Sequence, residues 1–209
     1  MSPGRSGRQK KFTHTPRKSN KLPLAIGLLI IIIVVITVVY VFAMNNPSDS
    51  GDSPTSAGTV LLQTSMGNIT IQLRDDRPIT TSNFKNLIQQ GVYDDTIFHR
   101  VIADLIVQGG DPTGTGYGDS SIPNIQDELD GVNENNRGTI AMANTGEPNT
   151  GSNQFFINAV DNNYLDTLHS VFGTVISGMD VVDAISSVTT DANYKPLTDV
   201  MLIKAEIIS

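Results

Sequence analysis

The chain has 209 residues and a formal net charge of −7, a length that suits one domain with appended segments. Its first 21 positions hold seven basic residues and no acidic one, so residues 22–209 carry seven basic and 21 acidic side chains, a net charge of −14. Binding to nucleic-acid phosphates needs a clustered basic face, so no nucleic-acid partner is expected for the acidic part. Cysteine is absent, which excludes disulfides, thiolate nucleophiles, zinc fingers and iron–sulfur clusters.

The first predicted element is an uncharged apolar segment of 23 residues, residues 22–44. A helix rises about 1.5 Å per residue, so this segment can cross the roughly 30 Å hydrocarbon core of a bilayer. A cleaved signal peptide is disfavoured, because its apolar stretch would be shorter and followed by small residues. A buried core helix is disfavoured too, because the isoleucine and valine run leaves no polar face. The sequence therefore predicts a single-pass transmembrane helix. The basic residues 1–21 predict a cytoplasmic tail and an extracytoplasmic location for the rest of the chain.

Residues 45–57 are small and polar and include two prolines, so they cannot bury enough apolar surface to become ordered. They are predicted to form a flexible linker. Residues 58–209 are long enough for one well-buried core, and this segment contains no internal repeat.

The domain at residues 58–209 contains about eight short apolar runs. The first two, Val60–Thr64 and Asn68–Arg74, flank a turn at Gly67 and the second alternates apolar with polar residues, which predicts a hairpin. Helices are predicted at Thr80–Gln90 and Met179–Ser187, and further strands at Ile97–Ile102, Leu105–Gln108, Gly138–Ala143, Gln154–Asn158, Ser170–Ile176 and Val200–Ile208. Strands and helices do not alternate as in a parallel sheet. The predicted fold class is therefore mainly β, a closed eight-stranded antiparallel barrel with two covering α-helices.

Common catalytic signatures are missing from the domain: it has no nucleophile elbow, no phosphate-binding loop and no zinc-protease motif. Its two histidines, His99 and His169, are too few for a histidine-rich metal site, and neither a metal nor a cofactor is expected. The glycine-rich segment Gly109–Gly118 does not match a dinucleotide fingerprint and is interpreted as a tight surface loop. Position on a strand predicts that His99 is structural and points away from its neighbour Arg100.

Two segments are more informative: FHRVIADLIVQGGD at Phe98–Asp111 and MANTGEPNTGSNQFFI at Met142–Ile157. Together with TSMGNITIQL near the start of the domain and YLDTLHSVFG after the second segment, they resemble the cyclophilin family of peptidyl-prolyl cis-trans isomerases over essentially all of residues 58–209. The order and spacing of the FHR, QGGD, MAN and QFFI motifs make the resemblance specific. It implies an eight-stranded barrel with a surface groove that binds proline-containing polypeptides.

The resemblance also implies the site residues. Arg100 matches the catalytic arginine that follows Phe-His, Ala143 and Asn144 match the segment whose backbone holds the substrate, and Phe156 matches part of the proline pocket. Strand alternation agrees that one of Phe155 and Phe156 faces the core and the other the groove. The full set of implied substrate-binding residues is Leu105, Ile106, Gln108, Gly114, Ala143, Asn144, Gln154, Phe156, Tyr164, Leu165 and His169.

Three positions depart from the family's pattern. Leu105 and Ile106 stand where phenylalanine and methionine are usual in the proline pocket, and Tyr164 where many members have tryptophan; Ala103-Asp104 also replaces a proline-glycine turn. The pocket remains apolar but has one aromatic wall fewer. Since a phenol cannot place a donor where an indole N–H would be, the drug cyclosporin, a ligand that the resemblance implies, is expected to bind with reduced affinity.

The leading hypothesis is a membrane-anchored prolyl isomerase, monomeric in its domain, that assists the folding of exported proteins. A non-catalytic module that binds proline-containing partners is the main alternative, because the pocket departures leave room for it. A surface domain that uses the barrel only as a scaffold is a third.

Overall fold

The computed structural model describes residues 58–209. The predicted cytoplasmic tail (1–21), transmembrane helix (22–44) and linker (45–57) lie outside the described residues. Within the part that is described, no helix combines the length and the hydropathy needed to cross a membrane.

The described residues form a nine-stranded antiparallel sheet with two α-helices. In chain order the elements are β1 (Thr59–Thr64), β2 (Gly67–Leu73), α1 (Pro78–Gln89), β3 (Thr96–Ile97), β4 (Arg100–Ile102), β5 (Ile106–Gly109), β6 (Thr139–Met142), β7 (Phe155–Asn158), a short 3-10 helix (Asn163–Leu165), β8 (Val171–Ser177), α2 (Met179–Ser186) and β9 (Met201–Ile207). The strand order in the sheet is β3-β9-β1-β2-β8-β6-β7-β5-β4. The predicted mainly β fold class and both helices are present.

The predicted closed eight-stranded barrel is not confirmed, because the sheet has nine strands and no ladder joins β3 to β4. These two strands were predicted as one, Ile97–Ile102. The chain changes its pairing partner within this segment: β3 pairs with β9, whereas β4 pairs with β5. The intervening Phe98 donates its backbone N–H to the carbonyl of Val200 at 3.0 Å. A single apolar run in the sequence does not reveal such a change of partner.

The β1–β2 hairpin forms as predicted, in a register that sets Val60 opposite Ile71 and Leu62 opposite Ile69. All four side chains are fully buried, because residues two apart on a strand point to the same face of the sheet. The hairpin thereby forms one wall of the main core.

Helix α1 begins at Pro78, two residues before the predicted start. Proline is favoured in the first turn of a helix, where its missing N–H is not needed. The carboxylate of Glu128, far along the chain, accepts the free backbone N–H groups of Ile79 at 3.1 Å and Thr80 at 2.8 Å. This capping contact is tertiary, so the local sequence could not predict it.

An aromatic cluster lies at the centre of the main core. The ring of Phe84, from α1, lies 5.1 Å from Tyr93, 5.4 Å from Phe155 and 5.0 Å from Phe172, measured between ring centroids. Edge-to-face and tilted contacts at these distances are favourable. The cluster holds α1 against β7 and β8, and β7 also forms part of the site described next.

Candidate active site

Four neighbouring strands align the first group of site residues. Arg100 on β4 is opposite Gln108 on β5, and Gln108 is in turn opposite Phe156 on β7. Phe156 is also opposite Ala141 on β6. Since directly opposed residues in a sheet share a face, Arg100, Gln108 and Phe156 lie side by side although they are far apart in the sequence.

A chain of hydrogen bonds holds the guanidinium of Arg100. Arg100 donates from Nη1 to Oε1 of Gln108 at 3.0 Å, and Gln108 donates from Nε2 to Oε1 of Gln154 at 2.9 Å. Gln154 then donates from Nε2 to the carbonyl of Gly116 at 2.9 Å. Each side-chain amide accepts a hydrogen bond from one neighbour and donates one to the next. This series of hydrogen bonds fixes one edge of the Arg100 guanidinium and leaves its other N–H groups available to a substrate.

Asp111 organises the glycine-rich loop whose Gly116 carbonyl accepts the last of these hydrogen bonds. Its buried carboxylate accepts backbone N–H groups from Thr113 at 2.9 Å, Thr115 at 3.1 Å and Gly116 at 2.6 Å. Burial alone would raise the pKa of Asp111, but hydrogen bonds from the backbone and hydroxyl of Thr113 and from the backbone of Gly116 and Gly118 outweigh burial and lower the pKa below its usual value. The glycine-rich segment is thus a tight loop, as predicted, and it holds the Gly116 carbonyl in place for Gln154.

A cavity of ≈ 450 Å³, lined by both polar and apolar side chains and called the apolar cavity here for its floor, lies beside Arg100. Ile106 and Phe156 line its floor. They belong to a small cluster of buried side chains separate from the main core, which also includes Ala141 and Val171 and has Leu105, Ala143 and Leu165 packed against it. Phe156 is 3% exposed and Tyr164, on the rim, is 64% exposed. The cavity therefore combines one cation, an apolar floor and an open mouth.

His169 forms another wall of the cavity. Its ring meets Phe156 edge to face, with 5.1 Å between centroids, and its Nδ1 lies 3.0 Å from the carbonyl of Met142. A carbonyl only accepts, so Nδ1 carries the proton of the neutral ring. Burial lowers the pKa of His169, although the bond to Met142 acts in the opposite direction. The ring is therefore an uncharged wall at neutral pH.

Asn144 lies at the cavity mouth and is held in place by its own side chain. Nδ2 donates to the carbonyl of Leu168 at 2.8 Å, and Oδ1 accepts the N–H of Gly146 at 3.0 Å. With the amide occupied in this way, the exposed backbone near Asn144 is the part that can hydrogen-bond to an extended peptide.

Ten of the twelve predicted site residues line this one cavity: Arg100, Leu105, Ile106, Gln108, Ala143, Asn144, Phe156, Tyr164, Leu165 and His169. Gln154 lines an adjoining cavity of ≈ 370 Å³. Gly114 lies apart from the apolar cavity and lines a third space, of ≈ 600 Å³, which shares Arg100 and Gln108 with it. Among residues 58–209, no cluster of three or more histidine or acidic side chains could hold a metal ion.

Two features of the site were missed at the sequence level. Asp104 has a positive φ of 55° and forms the turn before β5; aspartate tolerates this conformation, which explains how the turn forms without the usual glycine. Tyr194, from the segment between α2 and β9, has its ring centroid 6.0 Å from Cζ of Arg100. No local pattern signals this contact, because it joins distant parts of the chain.

His99 is buried, 7% exposed, as expected of a structural residue, and it lies under the glycine-rich loop near Gly116. Burial lowers its pKa, and the nearby Asp111 partly opposes this. His99 lies between β3 and β4 rather than on a strand, and it lines the ≈ 600 Å³ space together with Arg100. The predicted opposite orientation of the two side chains on one strand is therefore not supported.

The family model that matches this chain and two of its curated relatives are all described as peptidyl-prolyl cis-trans isomerases. A family model described as "Cyclophilin type peptidyl-prolyl cis-trans isomerase/CLD" matches residues 59–207. The chain is 42% identical over 156 residues to a peptidyl-prolyl cis-trans isomerase-like 1 of Neurospora crassa, covering 73% of this chain and 95% of that protein. It is 44% identical over 150 residues to the peptidyl-prolyl cis-trans isomerase ppi1 of Schizosaccharomyces pombe, covering 70% of this chain and 96% of that protein.

Among solved structures, a cyclophilin-type isomerase of Cryptosporidium parvum has a TM-score of 0.69 and 31% identity, with 73% of this chain and 98% of that chain covered. A second crystal structure of the same protein, in the presence of the dipeptide Ala-Pro, also has a TM-score of 0.69.

Proposed function

The chain belongs to the cyclophilin-type peptidyl-prolyl cis-trans isomerases, and on that premise we propose how its residues catalyse the reaction. Rotation about an X–Pro bond faces a barrier of ~18–20 kcal/mol because amide resonance is lost in the twisted state. No covalent bond has to break. The catalyst therefore has to bind the twisted amide more strongly than the planar one.

Arg100 stabilises the twisted amide. When the amide twists, its nitrogen gains a basic lone pair, and the guanidinium presents donors that remain protonated throughout. Gln108 holds one edge of the guanidinium at 3.0 Å, so its remaining donors point at the substrate without first having to be ordered. Raising a rate of about 0.01 per second to about 10 per second requires only ~4 kcal/mol, which one charge-assisted donor with good positioning can supply.

The apolar cavity grips the prolyl ring and excludes water. Phe156 and Ile106 form its floor, and Leu105 and Leu165 pack beside them. Exclusion of water strengthens the hydrogen bonds from Arg100. The backbone near Asn144 and the second amide N–H of Gln154, which its bonds to Gln108 and Gly116 leave over, hold the residues on one side of the X–Pro bond while the other side rotates.

The substrates are proline-containing polypeptides. The observation that supports this most directly is the arrangement of Arg100 in register with Gln108 and Phe156, at the edge of a cavity with an apolar floor. The related Cryptosporidium parvum isomerase, crystallised in the presence of Ala-Pro, supports the same substrate class.

A protease-coupled isomerisation assay tests this proposal. A peptide with one X–Pro bond is cleaved only in the trans form, so the slow phase of cleavage should accelerate in proportion to protein concentration. The alternative, a module that binds proline peptides without catalysis, predicts peptide binding with an unchanged slow phase. That result would overturn the proposed mechanism.

For the cellular role, we propose a monomeric domain tethered to the outer face of the membrane, where it assists folding of exported proteins. Support comes from the uncharged residues 22–44 and the seven basic residues before them. Protease added to intact cells or spheroplasts should remove the domain, whereas full protection would reverse the proposed orientation. Size-exclusion chromatography of residues 58–209 should give the mass of one copy, and a dimer would contradict this part of the proposal.

We further propose that cyclosporin binds the cavity weakly. Tyr164 is 64% exposed at its rim, and its hydroxyl lies at the end of the ring rather than where an indole N–H would be. Restoring one hydrogen bond of ~1–1.5 kcal/mol in Tyr164→Trp should tighten inhibition about tenfold. Inhibition constants of both forms are to be measured in the same assay, and equal constants would show that Tyr164 does not contact the inhibitor.

A further inference from the structure

The loop at Asp191–Lys195 lies against the strand that carries Arg100. Its fold is fixed by Asp191, whose Oδ1 accepts the backbone N–H of Asn193 at 2.8 Å and of Lys195 at 2.9 Å. The backbone N–H of Asp191 also donates to the carbonyl of Lys195 at 2.8 Å. These bonds close a tight turn. Tyr194 ends that turn, with its backbone N–H bonded to the carbonyl of Asp191 at 3.1 Å, and so has a defined position.

The backbone of Tyr194 is in the left-handed region, with φ of +64°. A tyrosine there costs free energy that glycine or asparagine would largely avoid, since the Cβ crowds the following carbonyl. The Tyr194 carbonyl accepts the backbone N–H of Val101 at 2.8 Å, but any residue could supply that carbonyl. The turn therefore does not explain why an aromatic side chain occupies this position.

The ring of Tyr194 lies beside the guanidinium of Arg100. Cζ of Arg100 lies 6.0 Å from the centroid of the Tyr194 ring, at the outer limit of the cation–π range. Among residues 58–209 the only hydrogen bond of this guanidinium goes to Gln108. The hydrogen bond fixes the guanidinium edge and the ring lies near its carbon, so the two contacts limit different motions.

We propose that Tyr194 is a positioning residue for the isomerase reaction: its ring holds the guanidinium of Arg100 in the orientation that meets the twisted amide. This inference rests on the proposed catalytic role of Arg100. The ring acts through the arginine, so it raises turnover and has little effect on binding of the planar substrate.

Substitutions that separate the ring from the turn test the proposal. Tyr194→Phe keeps the ring and should retain wild-type kcat/KM. Tyr194→Gly removes the ring and relieves the backbone strain, so its Tm should equal or exceed that of the wild type. Its kcat should nevertheless fall about two- to fivefold with little change in KM, the scale of an exposed cation–π contact. Tyr194→Asn, which also tolerates positive φ, should behave like the glycine variant.

All measurements use the 209-residue chain. Wild-type kcat in folded Tyr194→Gly and Tyr194→Asn would overturn the inference, as would an equal loss in Tyr194→Phe. A double-mutant cycle adds a second criterion: in an Arg100→Ala background, Tyr194→Gly should cause no further loss. Full activity of Arg100→Ala would refute the catalytic role of the arginine itself. Impaired Arg100→Ala together with unimpaired Tyr194→Gly would refute only the positioning role.

Discussion

Phe155 and Phe156 are neighbours on β7, yet they belong to different parts of the molecule. Phe155 is fully buried in the main core, edge to face with Phe84 and Tyr93. Phe156 belongs to the small separate cluster under the cavity and contacts His169. One strand therefore supplies a core residue and a site residue in consecutive positions, because successive side chains point to opposite faces.

This difference shows how the site obtains its rigidity. The aromatic cluster around Phe84 fixes the position of β7 from the inside, and the register of β7 with β5 then fixes Phe156 beside Gln108. Substitutions on the inner face should consequently affect stability, and those on the outer face should affect activity more than stability.

Phe155→Ala should have the largest effect on stability. The side chain is enclosed on all sides, so its removal leaves a cavity in addition to the lost burial, with an expected cost of about 3–5 kcal/mol. Urea denaturation of residues 58–209 measures this as a shift in midpoint at constant m-value. A loss of less than 1 kcal/mol would show that the core repacks around the gap, and that the inner face of β7 contributes less to stability than proposed.

Phe156→Ala should cost less stability and more activity. The space it leaves is continuous with the open cavity, so water can enter and mainly the burial contribution is lost, about 1.5–3 kcal/mol. The kcat/KM for a proline peptide should fall at least tenfold, because the floor under the prolyl ring is gone. If Phe155→Ala and Phe156→Ala had the same ratio of activity loss to stability loss, the division between the two faces of β7 would be wrong.

Mild acid should destabilise the folded domain through His99 and His169, the two histidines of residues 58–209. Burial lowers the pKa of both His99 and His169, whereas the unfolded chain binds protons near pH 6.5. Below that pH the unfolded state takes up more protons, so the free energy of unfolding decreases as the pH falls from 6.5 toward the folded-state values. Between pH 7.5 and 5.5 the carboxylates contribute little to this pH dependence, since they are ionised in both the folded and the unfolded state.

The control is His169→Asn, whose amide can still donate to the Met142 carbonyl. Its free energy of unfolding should depend less steeply on pH over that interval than the wild type's. An identical pH dependence would show that protonation of His169 is not linked to folding.

The sequence predicted most of the strands of residues 58–209 and both helices, because these depend on local periodicity. Its errors occur where tertiary contacts decide. The split between β3 and β4 results from a change of pairing partner at Phe98, and the start of α1 depends on Glu128 from a distant loop. Neither the change of pairing partner nor the contact with Glu128 can be predicted from the local sequence pattern.

For the candidate site, the motifs predicted residues that the fold brings together, since ten of the twelve line one cavity. What they could not predict is the support behind Arg100. The link from Gln154 to Gly116 and the ring of Tyr194 beside Arg100 depend on loop conformations. The loop at Asp111 is local and was predicted, but the side chains that its Gly116 carbonyl meets are decided by the fold.

The central claim, that Arg100 stabilises the twisted amide, is tested most directly by the kcat/KM of Arg100→Ala for a proline peptide, with Arg100→Lys as the matched control. Loss of the donor predicts a decrease of about 10²–10³ for alanine. Lysine keeps the charge but not the planar fork, so its activity should be intermediate. The midpoint of unfolding should remain close to that of the wild type, because Arg100 is only partly buried. Wild-type kcat/KM in a folded Arg100→Ala variant would contradict the account.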